Sequence, residues 1–424
     1  MVSIDYKILP NRSIIAIDVK SFFASVEAVK LGLHPLYAYL IVLSGQDRPG
    51  GIVLASSPLV KAEFGIKTGS RNFEIPKNSK LQIVEPRMAL YLKVNGLIID
   101  ILKRYVADED LLIYSIDEMI LDVTSCEAIF GDVEIIAKRI QKEIWDELKL
   151  VTTIGIGPNP LMAKLCMDIE AKKSEACFAR WTYKDVPTKL QKISPMTDFW
   201  GIGHRTKKRL YNLGITSIES LAKTDVRLLK KYLGVMGEEL FYHAHGVDYS
   251  ILSERYTPKT RSYGTSQILA KDYLNQSEIE IVIREMADTV AIRLRKQNKR
   301  ASLLKLTIGF SKHSGKQGFN HQMPIKLTNS TKVIADSSIS LFRKYYLNEP
   351  VRSIAISCGK VENKEFQQLS LFDNPTQLIA NEKLDFTIDK IRERYGFTSL
   401  FHASSLLEGG TAIKRSSYVG GHQG

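Results

Sequence analysis

A chain of 424 residues, 44% of them apolar, holds enough material for two to four domains and several cores. No run approaches the roughly 18 consecutive apolar residues of a membrane span. The start, Met1-Val2-Ser3-Ile4-Asp5-Tyr6, has neither the basic nor the apolar region of a secretory signal. The four cysteines (Cys126, Cys166, Cys177, Cys358) lack metal-ligand spacing, so free thiols in a reducing cytoplasm are expected and zinc is not. The net charge of +13 favours an anionic partner such as nucleic acid, and its distribution is uneven. The stretch from Lys259 to Lys360 holds 18 basic and 7 acidic residues, most of the excess of the whole chain.

In chain order, Ser13-Ile14-Ile15-Ala16-Ile17 reads as a buried strand with Asp18 at its exit, followed by a helix that puts Phe22, Val26 and Val29 on one side. Gly51 to Ala55 is a second strand, leading through Ser56-Ser57 into a helix opened by Pro58. Met88 to Tyr105 has a helical stripe. Leu111 to Tyr114 and Met119 to Val123 form a strand and its antiparallel return, with Asp117 and Glu118 at the turn. Helix Val133–Leu148, strand Thr152–Gly157 and helix Pro160–Lys173 complete an α+β part built around one sheet. From about 179 to 250 the pattern is helical, with Gly201-Ile202-Gly203 joining two short pieces. A linker near Pro258 then opens a β-α-β-β-α-β segment whose two helices are expected on one face of a small sheet, leaving the other face free and basic. An irregular tail follows Glu362, with an amphipathic helix near Pro375 to Tyr395.

Asp18, Asp117 and Glu118 carry the chemistry. Taken singly, each is most simply a solvated strand end. Taken together, three converging carboxylates repel unless cations lie between them, and paired magnesium ions suit such a site and suit phosphoryl transfer.

The surrounding residues add a resemblance. Asp18-Val19-Lys20-Ser21-Phe22-Phe23-Ala24-Ser25-Val26-Glu27 resembles the first catalytic motif of the Y-family, translesion DNA polymerases. Ser115-Ile116-Asp117-Glu118 with Leu121-Asp122 resembles the second, at the family's separation of about a hundred residues. Gly201-Ile202-Gly203 and the basic β-α-β-β-α-β segment resemble its thumb hairpin and little finger. Arg394-Tyr395-Gly396-Phe397 and Lys414-Arg415-Ser416-Ser417-Tyr418 are most similar to the bacterial UmuC-like branch.

The resemblance implies a right-handed, multidomain α+β polymerase: palm 1–21 and 88–178, small fingers 22–87, helix-hairpin-helix thumb 179–250, little finger 259–362, and a tail 363–424. It implies a low-fidelity, template-directed polymerase acting in translesion synthesis, DNA repair and the SOS response. Asp18, Asp117, Glu118 and the Val19 carbonyl would hold two Mg2+ ions. Phe23 would be the steric gate against a ribose 2′-hydroxyl, with Phe22 beside the incoming nucleotide. Ser57, Lys61 and Lys172 (or its neighbour Lys173) are the remaining nucleotide-facing candidates. Leu59 and Ala62 stand where many relatives keep a Tyr and an Arg, so the grip on the triphosphate departs from the family pattern. Primer–template DNA would meet Gly201, Gly203, Arg205 and Lys207 in the thumb, and Arg295, Lys299 and Arg300 beyond it.

Gln368-Leu369-Ser370-Leu371-Phe372 is similar to the pentapeptide by which bacterial polymerases dock on the sliding clamp, Leu371 and Phe372 filling an apolar pocket and Gln368 anchoring. RecA or a UmuD-like subunit is a further partner that the branch brings into view and the residues do not decide. Two other readings stay open on the residues alone: a catalytically silent DNA- and clamp-binding factor, and a helix-hairpin-helix nuclease with the same metals.

Overall fold

The computed structural model describes residues 4–46, 50–254, 256–258, 260–363, 375–419 and 422–423. The chain divides into two compact units, Met1–Tyr256 with His422–Gly424, and Thr257–Gly421.

The first unit contains β1 (Ile14–Val19), β2 (Leu40–Ser44), β3 (Ile52–Ser56), β4 (Gln82–Val84), β5 (Leu111–Ile113), β6 (Glu118–Asp122), β7 (Thr152–Gly157) and β8 (Phe178–Arg180). They form two sheets, in the orders β5-β6-β1-β7-β8 and β3-β2-β4. The sequence suggested a single sheet. The second one escapes notice because β2 pairs in parallel with β4, about forty residues away, and β4 is too exposed to show alternation.

β1 is apolar almost throughout because the sheet is covered on both faces. Ile15, Ile17 and Val19 pack into a core with Tyr91, Ile98 and Ile140. Ile14 and Ala16 point the other way, towards Ala163 and Met167 of helix Pro160–Ile169. That helix lies unusually close to β7. A Cβ at Gly155 would fall 2.3 Å from the Met167 nitrogen, and one at Gly157 would fall 2.4 Å from the Ala163 nitrogen, so only glycine fits at either position.

Beyond β8, a 3-10 turn (Met196–Asp198) leads through Gly201, at φ +93°, into helices His204–Asn212, Ile218–Ala222, Val226–Leu233 and Val235–Ala244. Phe199, Ile202, Leu210 and Leu240 close a core with Trp181.

In the second unit, β9 (Tyr263–Tyr273), helix Gln276–Lys296, β10 (Lys299–Phe310), β11 (Phe319–Thr328), helix Thr331–Tyr345 and β12 (Val351–Asn363) follow the expected β-α-β-β-α-β order, in a sheet arranged β11-β10-β12-β9. Leu304, Leu306, Ile308, Ile354 and Ile356 pack under both helices. The alternate residues of the strands form the other face. It was expected to be basic, but Lys305 and Lys326 are its lysines, and much of the rest is short or uncharged: Thr307, Asn320, Gln322, Ser353, Ser357. Much of the segment's charge lies on helices and loops instead.

The tail is not a loose appendage. Helix Pro375–Tyr395 packs within this unit, and it corrects two DNA-binding assignments. The Arg295 side chain is only 10% exposed and lies 3.5 Å from Asp385. It donates to Asp389 at 2.9 Å, to the Asn329 carbonyl at 2.9 Å and to Thr331 at 3.0 Å. Arg300 is buried and donates to Glu382 at 3.3 Å. Glu382, Asp385 and Asp389 recur at helical spacing on one side of the tail helix and draw both guanidiniums inward. Neither arginine is available to a phosphate. Lys299 donates to Asn363 at the end of β12. Arg295→Ala would strand the half-buried carboxylates of Asp385 and Asp389, so it is expected to cost this unit about 3 kcal/mol and to speed amide hydrogen exchange across helix Pro375–Tyr395. Unchanged exchange there would show that the ion cluster does not fasten the helix.

Candidate active site

Asp18, half-buried near the end of β1, faces Glu118, its directly paired residue on β6. Backbone bonds fix the approach of the third acid. The Val19 N–H donates to the Asp117 carbonyl at 2.9 Å, and the Tyr114 and Ser115 N–H groups each donate to the Glu118 carbonyl at 3.0 Å. Ser115 also donates its hydroxyl to the Asp117 carboxylate at 2.7 Å. Residues far apart in sequence are thus brought to one end of the sheet. The chain then turns at Ser21, in the left-handed region at φ 50°, which starts helix Phe22–Lys30.

A cleft of about 630 Å³ opens here, lined by Asp18, Phe22, Phe23, Lys61, Asp117 and Lys172 among others. Burial pushes the Asp18 carboxyl up to about 6 against the pull of Lys172, and the charges of Asp117 and Glu118 push the same way as burial. Lys172 reaches Asp18 at 3.2 Å and Asp168 at 2.8 Å. Lys164 reaches Asp168 at 3.3 Å and pairs with Glu118. Glu118, Lys164, Asp168, Lys172 and Asp18 therefore make a chain of alternating charge. As they stand, Asp18 and Glu118 are held by lysines and Asp117 by the Ser115 hydroxyl, and among the described residues no group of three or more acids, histidines or cysteines is gathered tightly enough to hold an ion.

Of the two neighbouring lysines singled out, it is Lys172 that lines the cleft. Lys61 enters from helix Pro58–Phe64 and donates to the Ser21 hydroxyl at 2.8 Å. Burial lowers its pKa while Asp18 raises it. Phe22 is buried. Phe23 is half-buried and stacks on Tyr91 with ring centres 4.3 Å apart. Tyr91 donates to the buried Glu27 at 2.8 Å, and Arg87 holds the same carboxylate at 3.0 Å. The Phe23 ring thus rests on a braced floor.

Ser57 does not belong to the site. It is fully buried, donating its hydroxyl to the Ala38 carbonyl and accepting from the Leu40 N–H, so it joins backbone segments instead of facing a nucleotide. Arg205 is exposed on helix His204–Asn212, and Lys207 lies over the Tyr211 ring. Residues 368–372 lie outside the described residues.

Lys164, Asp168, Tyr91 and Arg87 were not foreseen as parts of the site. A signal existed for the first two: Lys164, Asp168 and Lys172 alternate in charge at intervals of four, as on one helical face. Glu27 was visible only as the last residue of the first motif.

Comparison with known proteins bears on this geometry. Residues 17–168 match the model of the impB/mucB/samB family, and residues 260–371 match that of its C-terminal domain. The chain is 42% identical, over 99% of its length and the whole of the other protein, to a putative UV-damage repair protein, UvrX, of Bacillus subtilis (strain 168). The chain is a Y-family DNA polymerase.

A second Bacillus subtilis protein, DNA polymerase IV 2, is 31% identical over 98% of this chain and 99% of its own. The solved structure of a Y-family DNA polymerase chimera, Dbh-Dpo4(243-245)-Dbh, shares the fold, with a TM-score of 0.65 at 22% identity over 83% of this chain and 99% of that one. Membership carries the activity: template-directed DNA synthesis in the setting of translesion synthesis and repair.

Proposed function

We propose that nucleotidyl transfer takes place in the cleft between Asp18 and Phe23, and that Asp18, Asp117, Glu118 and the Val19 carbonyl are the ligands of two Mg2+ ions. The observation that carries this reading is the meeting of Asp18, Asp117, Lys61, Lys172 and Phe23 around one cavity. The donor set fits the metal: it is all oxygen, as magnesium prefers, and Asp18 lies close enough to the other two acids for their repulsion to be felt. When bound, the ions would make the primer 3′-hydroxyl more acidic and take up charge on the triphosphate and leaving pyrophosphate.

The protein's own groups do the rest. Lys61 and Lys172 offer ammonium groups to the triphosphate, Lys172 by leaving Asp18. Phe22 and Phe23 present apolar surface to the base and sugar. Lys164, held against Glu118, keeps a compensating charge behind the ligands.

The five-stranded sheet corresponds to the palm, the three-stranded sheet with its helix to the fingers, and the helices after Gly201 to a helix-hairpin-helix thumb whose Gly201, Gly203, Arg205 and Lys207 meet the DNA backbone. Within the second unit, residues 259–362 are the little finger and the residues that follow are the tail. No helix among the described residues is long and apolar enough to cross a membrane, and the cytoplasm is the proposed location. The UmuC-like branch, a role in the SOS response and the sliding clamp as partner rest on the motifs quoted above.

Primer extension with Mg2+ and dNTPs, on intact and lesion-bearing templates, tests the reading. Template-dependent extension is expected; strand cleavage, or binding without turnover, would overturn it. Deleting Gln368 to Phe372 is expected to remove stimulation by the clamp and leave clamp-free synthesis unchanged. An equal loss in both assays would reject a docking role.

A further inference from the structure

Lys164 stands among apolar residues of helix Pro160–Ile169, and its side chain is only 8% exposed. Burying an ammonium is costly, and a methionine would fill the same space without that cost. The charge therefore answers to its partners. An ammonium has three N–H donors. Lys164 pairs with the buried Glu118 and reaches Asp168 at 3.3 Å. The same ammonium also meets two aromatic rings. Its Nζ lies 5.0 Å from the centre of the Tyr114 ring and 5.8 Å from that of Trp200, within the range at which an aromatic face attracts a cation.

The two rings are locked to each other. They meet edge to face, with centres 5.8 Å apart and planes at 78°, and the Trp200 indole N–H donates to the Tyr114 hydroxyl at 3.1 Å. They come from distant parts of the chain. Tyr114 belongs to the turn between β5 and β6, where its N–H donates to the Glu118 carbonyl at 3.0 Å. Trp200 directly precedes Gly201, at the entry to the helical part, and its neighbours Phe199 and Ile202 are buried in the core of that part. Helix Pro160–Ile169, the acidic turn and the helical part therefore meet at one ammonium, and that ammonium holds Glu118.

We propose that Trp200 and Tyr114 are positioning residues for nucleotidyl transfer: their rings fix the Lys164 ammonium, and through it the direction of the Glu118 carboxylate. Neither residue lines the cleft, so both act through Lys164 and not by touching the nucleotide. A small misplacement at a reacting centre slows the chemical step while ground-state binding persists. The inference rests on the polymerase reading, in which Glu118 belongs to the reacting centre, and deepens it by naming what holds that acid in place.

Trp200→Ala in the full chain is expected to lower kcat for primer extension about tenfold, with KM for the dNTP and affinity for primer–template each within about twofold of wild type. Trp200→Phe keeps a ring over the ammonium and should recover most of the rate. Trp200→Leu keeps apolar bulk alone and should not. Lys164→Met should lower kcat at least as far, and adding Trp200→Ala to it should cost little more, because the indole acts through the ammonium. Nuclear magnetic resonance of lysine-labelled protein gives a reading independent of turnover. Ring current should shift the Lys164 ε-methylene signal upfield in the wild type and in Trp200→Phe, and less in Trp200→Ala. Wild-type kcat in Trp200→Ala would overturn the proposal. Equal rescue by leucine and phenylalanine would do the same, and so would a double variant whose loss is the product of the two single losses. Should Trp200→Ala fail to fold, Tyr114→Leu, at an exposed position, carries the same expectation. Each of these failures leaves a wild-type protein that extends primers. Absence of extension by the wild type would instead bring down the polymerase reading, and full extension by Glu118→Ala would bring down the role of that acid.

Discussion

Asp117→Ala is expected to lower primer extension roughly a thousandfold while leaving affinity for primer–template within about twofold of wild type. The structure separates the two roles of this residue. Its backbone carbonyl accepts the Val19 N–H and ties β1 to the turn, and alanine keeps that bond. Its side chain makes one hydrogen bond, from the Ser115 hydroxyl, so little folding energy depends on it. What alanine removes is an oxygen donor at the mouth of the cleft. Steady-state extension paired with anisotropy on the same DNA reads the two effects apart. Residual extension above about a tenth of wild type would show that the carboxylate is not a metal ligand, and a parallel loss of DNA affinity would show that it serves binding.

The second large effect concerns sugar choice. Phe23→Ala should raise the use of ribonucleotides relative to deoxynucleotides about a hundredfold, read as the ratio of kcat/KM values for CTP and dCTP. The Phe23 ring lines the cleft and cannot sink away from an incoming sugar, because Tyr91 stacks beneath it and Glu27 with Arg87 holds Tyr91 in place. A ring that cannot yield converts one extra hydroxyl into a clash. Phe23→Leu, which keeps more of the packing, should give a smaller change in the same direction. An unaltered ratio in both variants would reduce Phe23 to a packing residue.

The acidic end of the sheet was legible because it is written locally. An apolar run ending in Asp18, and a strand return containing Asp117 and Glu118, are short patterns, and the sheet needs only to pair them. What could not be read depends on partners distant in the chain. Ser57 follows an apparent strand and precedes a helix, a place that suits a phosphate contact, yet its hydroxyl is taken by the Ala38 carbonyl across a sheet pairing the sequence does not announce. Arg295 and Arg300 sit in a run of positive charge, the usual mark of a nucleic-acid surface. They turn inward because three acids some eighty residues later fall on one side of a helix. That stripe was present in the sequence, and weighing the basic run against it would have reversed the assignment. Lys164 was missed for the complementary reason: a single lysine inside an apolar helix invites no reading until the helix is known to press against the carboxylates.

That pressing has its origin in Gly155 and Gly157, whose missing side chains set how deep the helix sinks into the sheet. Both residues stand behind the reacting centre and touch nothing that reacts, yet the reach of two ammonium groups is measured from the seat they provide. The floor of the sheet therefore sets where Lys172 stands in the cleft. Because only glycine fits at either position, that placement is set by two residues that line no part of the cleft.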